Sequence, residues 1–110
     1  MFGFRTSDVR DLTPQEVVRG MQTGEILLID VREPAETAGE RIPGALLAPL
    51  SSFDPADLPD AGGRALVFSC ASGIRSVKAA EIAQAAGLRC DAHLAGGIKA
   101  WKAAGLPVES

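Results

Sequence analysis

The sequence predicts a small three-layer α/β/α domain on a central, mostly parallel sheet, and three observations predict it. Short continuous apolar runs, Ile26 to Ile29, Ala45 to Ala48 and Ala65 to Phe68, lack the in-and-out alternation of a half-solvated strand and suit strands covered on both faces. Helix signals fall between these runs, so strand and helix alternate as they do when crossovers cover a parallel sheet. The 110 residues are 46% hydrophobic and 23% charged, a globular balance. A chain of this length can bury about 65% of its unfolded surface without metal or disulfide staples. No internal repeat, low-complexity tract or linker interrupts it, so residues 1–110 read as a single domain.

The first helix starts at Thr13-Pro14-Gln15-Glu16, where Thr13 is the N-cap, Pro14 fits the first turn and Glu16 completes a capping box; Gly20 or Gly24 ends it. The strand Ile26 to Ile29 follows, closed by Asp30, and Pro34 opens a short helix through Glu40. Beyond the run at Ala45, Ser51 to Gly63 is rich in Pro, Asp and Gly and reads as a surface excursion. After the strand at Ala65, the Ala-rich segment Arg75 to Ala86 is a helix stopped at Gly87, with Leu88 as the apolar follow-on of a left-handed cap. A weaker strand from Cys90 to Leu94, a Gly96-Gly97 turn and a short helix near Ile98 to Ala104 complete the pattern before Gly105 and Pro107.

Composition narrows the function. Eleven basic and fourteen acidic residues give a net charge of -3, so no global field draws in nucleic acid or an anionic membrane. No apolar run approaches the roughly 18 residues of a membrane span, and none of signal-peptide length follows Met1-Phe2-Gly3-Phe4-Arg5, so a cytoplasmic location is expected. Two cysteines and one histidine are too few for a disulfide framework or the usual four-ligand zinc site, so each cysteine is weighed as a lone thiol.

In a parallel sheet, ligands gather outside the carboxyl ends of the strands, where Asp30 and Cys70 both fall. The stretch Ser69-Cys70-Ala71-Ser72-Gly73-Ile74-Arg75-Ser76 takes a cysteine from a buried strand to a helix within five residues, so the loop must curl around its first side chain. Its N–H groups and the helix N-terminus make an anion cradle, which lowers the Cys70 pKa and makes the thiolate a nucleophile; the alternative is a cysteine packed as a small hydrophobe. Arg75 and Lys78 sit in the first helical turn, where the macrodipole disfavours cations; Lys78 reads as a solvated charge and Arg75 points to an anionic ligand. Cysteine-dependent phosphatases place the arginine after five intervening residues, whereas here four intervene and Ser76 holds the next place. The smaller loop suits a smaller transferred group, such as one sulfur atom.

At this point the chain resembles the single-domain rhodanese family of sulfurtransferases from about Leu12 to Val108. The resemblance rests on four motifs in order: Asp30-Val31-Arg32-Glu33-Pro34-Ala35-Glu36, Ile42-Pro43-Gly44-Ala45, Cys70 to Ser76, and Gly96-Gly97-Ile98-Lys99-Ala100-Trp101 with Ala104-Gly105-Leu106-Pro107-Val108. It implies a rhodanese-like fold and a Cys70 persulfide, formed from a small anionic donor such as thiosulfate and passed to cyanide or a thiol by double displacement. The N–H groups from Ala71 through Ser72, Gly73, Ile74 and Arg75 to Ser76 would then hold the thiolate and persulfide, and Arg75 would receive the sulfonate end of the donor. Two alternatives remain: a carrier or regulatory module delivering sulfur only to a sulfur-accepting protein partner, and a phosphatase or arsenate reductase, against which the loop length argues.

The chain departs from the family pattern before Ile42, where Thr37, Glu40 and Arg41 replace an aromatic and a Gly-His pair. Arg41 either adds a positive group near the site or pairs on the surface with Glu36 or Glu40. Asp30 either orients the loop or an arginine across the rim, or caps the helix opening near Glu33. Arg32 reads as structural, paired with a nearby carboxylate. His93 reads as a satisfied or exposed histidine, because a pre-formed thiolate has little need of a base. Trp101 reads as core, and so does Cys90, whose alternative is a resolving thiol for Cys70.

Overall fold

The apolar runs do form strands, and a further strand that the sequence reading missed completes the sheet. In the computed structural model, which describes residues 9–110, the strands are β1 (Arg10–Leu12), β2 (Ile26–Asp30), β3 (Leu46–Leu47), β4 (Ala65–Ser69) and β5 (Ala92–Leu94). They lie in the order β1-β5-β4-β2-β3, and all four pairings are parallel. Between them run α1 (Pro14–Thr23), α2 (Pro34–Gly39), α3 (Arg75–Ala85) and α4 (Gly97–Ala103). The segment Met1 to Arg5, read above for a leader, lies outside the described residues.

Local chemistry accounts for most boundaries. The capping box at α1 forms as expected: Thr13 Oγ1 accepts from Glu16 N at 3.1 Å and Glu16 Oε1 accepts from Thr13 N at 2.8 Å. Of the two candidate stops, Gly24 is the cap, in the left-handed region, and Gly20 stays helical. The helix α3 ends as predicted, with Leu88 N donating to Ala83 O beyond a left-handed Gly87. The excursion after Ala48 holds two 3-10 turns, Leu50–Ser52 and Pro55–Asp57. The edge strand β1 escaped notice because it is three residues long, carries two charges and is mostly exposed. The last strand is shorter than expected and leaves Cys90 ahead of it.

The pleat divides the core into two layers, and this division positions the site. Leu28, Val67, Ala92 and Leu94 pack with Val17, Ile98 and Trp101 on the face covered by α1 and α4. Ile29, Leu66 and Phe68 pack with Ala79, Ala80 and Ala83 of α3 on the other face, which also holds Cys70 and Cys90. Trp101 is buried as expected, and its Nε1 donates to Pro107 O at 2.7 Å.

Candidate active site

Cys70 is the first residue past β4 and is almost fully buried, at 1% exposure. Its loop is held from behind by α4: Ile98 N donates to Cys70 O at 2.9 Å and Lys99 N to Ala71 O at 3.2 Å. The approach requires glycine, since a Cβ on Gly97 would stand 2.2 Å from Cys70 O and 2.6 Å from Ala71 C. With those carbonyls engaged, other N–H groups of the loop face the sulfur. Gly73 N donates to Cys70 Sγ at 3.1 Å and Ser76 N at 3.3 Å, while Ser76 Oγ lies 3.5 Å from it. Ile74, the N-cap residue of α3, makes no side-chain cap, so Cys70 Sγ takes one of the orphan donors of the first helical turn.

Two effects compete at this thiol. Burial disfavours its charged form, but the Ser76 hydroxyl and the Ser76, Gly73 and Ser72 N–H groups together outweigh it and hold Cys70 below the usual thiol range. Among the described residues Cys90 has no such donors. Burial, helped by the adjacent Asp91 charge, pushes its thiol up to about 11, and its Sγ donates to Ala80 O. It is a core residue, as the sequence suggested.

The charged candidates resolve differently from one another. Arg75 does carry an anionic partner, but an internal one: its Nη1 and Nη2 donate to the two Glu36 carboxylate oxygens at 2.7 and 2.8 Å. This grips α2 against the loop and, by the Arg75 hydrogen bonds, holds the Glu36 carboxyl down at about 2. Asp30 is not a helix cap; Glu33 is the N-cap of α2, in a capping box with Glu36. The Asp30 carboxylate is buried and binds Arg32 through Nε at 3.1 Å and Nη2 at 2.9 Å, because β2 ends inside the sheet and a charge there must be paired. Arg32 in turn donates to Glu40 O, which confirms its structural reading, and Asp30 is the carboxylate that holds this arginine at the strand rim. Arg41 pairs with neither Glu36 nor Glu40 but with Glu109, whose backbone it bridges. Ala71 and Ser72 line the loop, and Ser72 and Ile74 are exposed, Ile74 at 78%. Lys78 is exposed.

Sequence reasoning missed the group behind Ser76. His93 Nδ1 lies 2.8 Å from Ser76 Oγ, and His93 Nε2 lies 2.7 Å from Asp11 Oδ1. The histidine is satisfied, as predicted, but by the very serine that touches Cys70. A signal existed: Ala92 and Leu94 are apolar neighbours in an alternating strand, so His93 must face the opposite layer, where α3 and Cys70 lie. Its partner Asp11 could not be found the same way, because β1 itself went unrecognised.

Fold and loop together define an α/β protein with a cysteine cradle at the carboxyl rim of a parallel sheet. Residues 13–104 match the Rhodanese-like domain, and the chain belongs to that family. It is 42% identical over 96 residues to an uncharacterized protein of Synechocystis, covering 87% of this chain and 54% of that protein. It is 39% identical over 88 residues to a sulfurtransferase of Allochromatium vinosum, covering 78% of this chain and 80% of that one. A rhodanese-related protein of Thermoplasma volcanium superposes with a TM-score of 0.79 at 26% identity, over 91% of this chain and 97% of the other. The chain thus spans about half the length of the Synechocystis relative. Among the described residues no helix is long and apolar enough to cross a membrane.

Proposed function

We propose that this chain moves a sulfane sulfur from a small anionic donor such as thiosulfate to cyanide or a thiol through a persulfide on Cys70. The observation that carries the reading is the ring of donors around Cys70 Sγ: two N–H groups within 3.3 Å and the Ser76 hydroxyl at 3.5 Å. The Cys70 thiolate attacks the outer sulfur of thiosulfate, the donor S–S bond breaks, and its electron pair leaves on sulfite. The negative terminal sulfur of the persulfide stays in reach of donors already pointing inward, at no cost of reorganisation. Cyanide then takes that sulfur as thiocyanate and Cys70 leaves as thiolate, so free enzyme and persulfide alternate in ping-pong order. Glu36 uses two of the five Arg75 N–H groups, and the remaining three can receive the donor sulfonate. The loop donors and Arg75 do this without metal or organic cofactor.

The test is intact mass before and after excess thiosulfate, run beside Cys70→Ser. A gain of about 32 Da on the wild type alone, removed by cyanide, is expected. No gain on the wild type would overturn the thiosulfate reading. A stable gain with negligible turnover on cyanide or small thiols would assign the chain instead as a carrier for a sulfur-accepting protein.

A further inference from the structure

The Asp11–His93–Ser76 chain runs from solvent to the sulfur. Asp11 presents a 76% exposed carboxylate, His93 is 5% exposed at its side chain, and Ser76 and Cys70 are buried. Three elements bring it together. The register pairs Asp11 with His93 across β1 and β5, parallel pairing puts both on the same face, and Ser76 descends onto His93 from the first turn of α3. Buried polar chains of this kind are retained only when every member is satisfied, and this one is.

Hydrogen-bond polarity leaves the chain two consistent states. Ionised Asp11 only accepts, so His93 Nε2 must carry a proton. In the first state the Cys70 S–H donates to Ser76 Oγ, the Ser76 O–H donates to His93 Nδ1, and the imidazole is neutral. In the second, the S–H bond has broken and a proton has joined Ser76 Oγ as the Ser76 proton moved to His93 Nδ1. The thiolate then accepts from Ser76, which accepts from a doubly protonated ring. No proton enters or leaves. The two states differ only in whether the proton sits on sulfur or nitrogen, and Asp11 favours the second by holding the cation.

We propose that His93, oriented by Asp11, is a positioning residue that takes the Cys70 proton through the Ser76 hydroxyl and holds it while the thiolate reacts. The inference rests on Cys70 being the nucleophile. Among the described residues the ionisable groups facing His93 are Asp11 from β1 and, through Ser76, Cys70 from the loop after β4. From β4 the registered neighbour is Phe68. Arg10 beside Asp11 is paired with Asp91 before β5, and Arg75 beside Ser76 with Glu36.

Two readouts that need no sulfur transfer test it, with the pH dependence of thiosulfate loading beside them. The first is thiolate ultraviolet absorbance against pH, with Cys70→Ser as blank; Cys90, pushed up to about 11, stays silent over the relevant range. The midpoint should rise by about one pH unit in His93→Asn, whose amide keeps the bond to Ser76 but cannot take a proton, and by less in Asp11→Asn. Thiosulfate loading at neutral pH should fall about tenfold in His93→Asn and recover in alkali, with KM unchanged. Superimposable titrations, or a loading defect equal at all pH values, would overturn the proposal. The second readout is the ring nitrogen resonance of His93, the one histidine of the untagged chain. In Cys70→Ser, which has no thiol proton to pass on, the Nδ1 resonance at neutral pH should lie nearer the neutral-ring position than in wild type, and an unchanged resonance would also overturn it. If His93→Asn does not fold, Asp11→Asn at the exposed end of the chain decides. Failure to load sulfur with the expected titrations would overturn the proposed function and leave this relay standing.

Discussion

The two cysteines of this chain are buried to nearly the same degree, 1% for Cys70 and 5% for Cys90, and are opposite in chemistry. Both pack in the layer between the sheet and α3. Cys90 shows what burial does without inward-facing donors: desolvation, helped by the Asp91 charge, pushes its thiol up to about 11, and its Sγ donates to the Ala80 carbonyl as a small hydrophobe in the core. Burial disfavours the Cys70 thiolate as well, but Gly73 N, Ser76 N and the Ser76 hydroxyl converge on its sulfur and reverse the sign. Thiol acidity here is a property of the donors around a sulfur, set by a five-residue passage from strand to helix, and not of the residue type or its exposure.

Exchanging the thiols one at a time gives the largest expected effect. Cys70→Ser should abolish sulfur loading, read as intact mass, while Cys90→Ser should load as the wild type does and lose a fraction of stability consistent with a small buried side chain. Loading that follows Cys90 would break the comparison outright. Next in size is Gly97→Ala. Its new Cβ would meet the Cys70 carbonyl at 2.2 Å, and its φ of +60° suits no side chain well. A loss of roughly 2–4 kcal/mol, read by denaturant unfolding, is expected from the clash and the strain together. If the variant folds, the loop displaced from α4 should lose its N–H aim, and Cys70 should drift toward the behaviour of Cys90.

How much of this was legible in sequence divides along the same line. The α/β class, the Thr13 capping box and the Gly87 stop depend on local chemistry and apolar pattern, and they are where the residues placed them. The cradle was legible too, because a cysteine, a glycine and a helix start so close together allow few paths. The pairings were not. Arg75 finds Glu36 thirty-nine residues away, Arg41 finds Glu109, and Asp11 finds His93 across eighty-two residues. Each of these depends on strand order and helix placement, which neither periodicity nor motif spacing specifies. The strand β1 compounds the gap: an exposed three-residue edge has no apolar signature, yet it delivers the carboxylate that orients His93.

Ser76→Ala sharpens the comparison at the level of one donor. The variant keeps the Ser76 N–H at 3.3 Å and removes the hydroxyl at 3.5 Å, the group that does most to lower the Cys70 thiol. A hydrogen bond to a charged partner contributes about 1.5 kcal/mol, so loading at neutral pH should fall roughly tenfold and the thiolate midpoint should move up toward that of Cys90. An unchanged midpoint would mean that the backbone N–H groups alone separate the two cysteines.

The smallest effect asks whether the charge pair beside the loop contributes to the difference. Glu36→Gln frees the Arg75 guanidinium, which stands near enough to the sulfur for the thiolate to favour its charged form. Arg75 and Glu36 are each about one-third exposed, so solvent screens the pair, and it stabilises the fold by at most about 1 kcal/mol. Glu36 is lowered from 4.5 to about 2 in the fold, so the pair stabilises fully above pH 4.5, and this contribution is lost as pH falls through about 2. Wild type should therefore exceed Glu36→Gln in unfolding free energy near neutrality, with the gap closing across that window. The thiolate midpoint should shift by less than in Ser76→Ala. A larger shift would make the Arg75 charge, and not the inward-facing donors, the main reason that one buried thiol is lowered and the other raised.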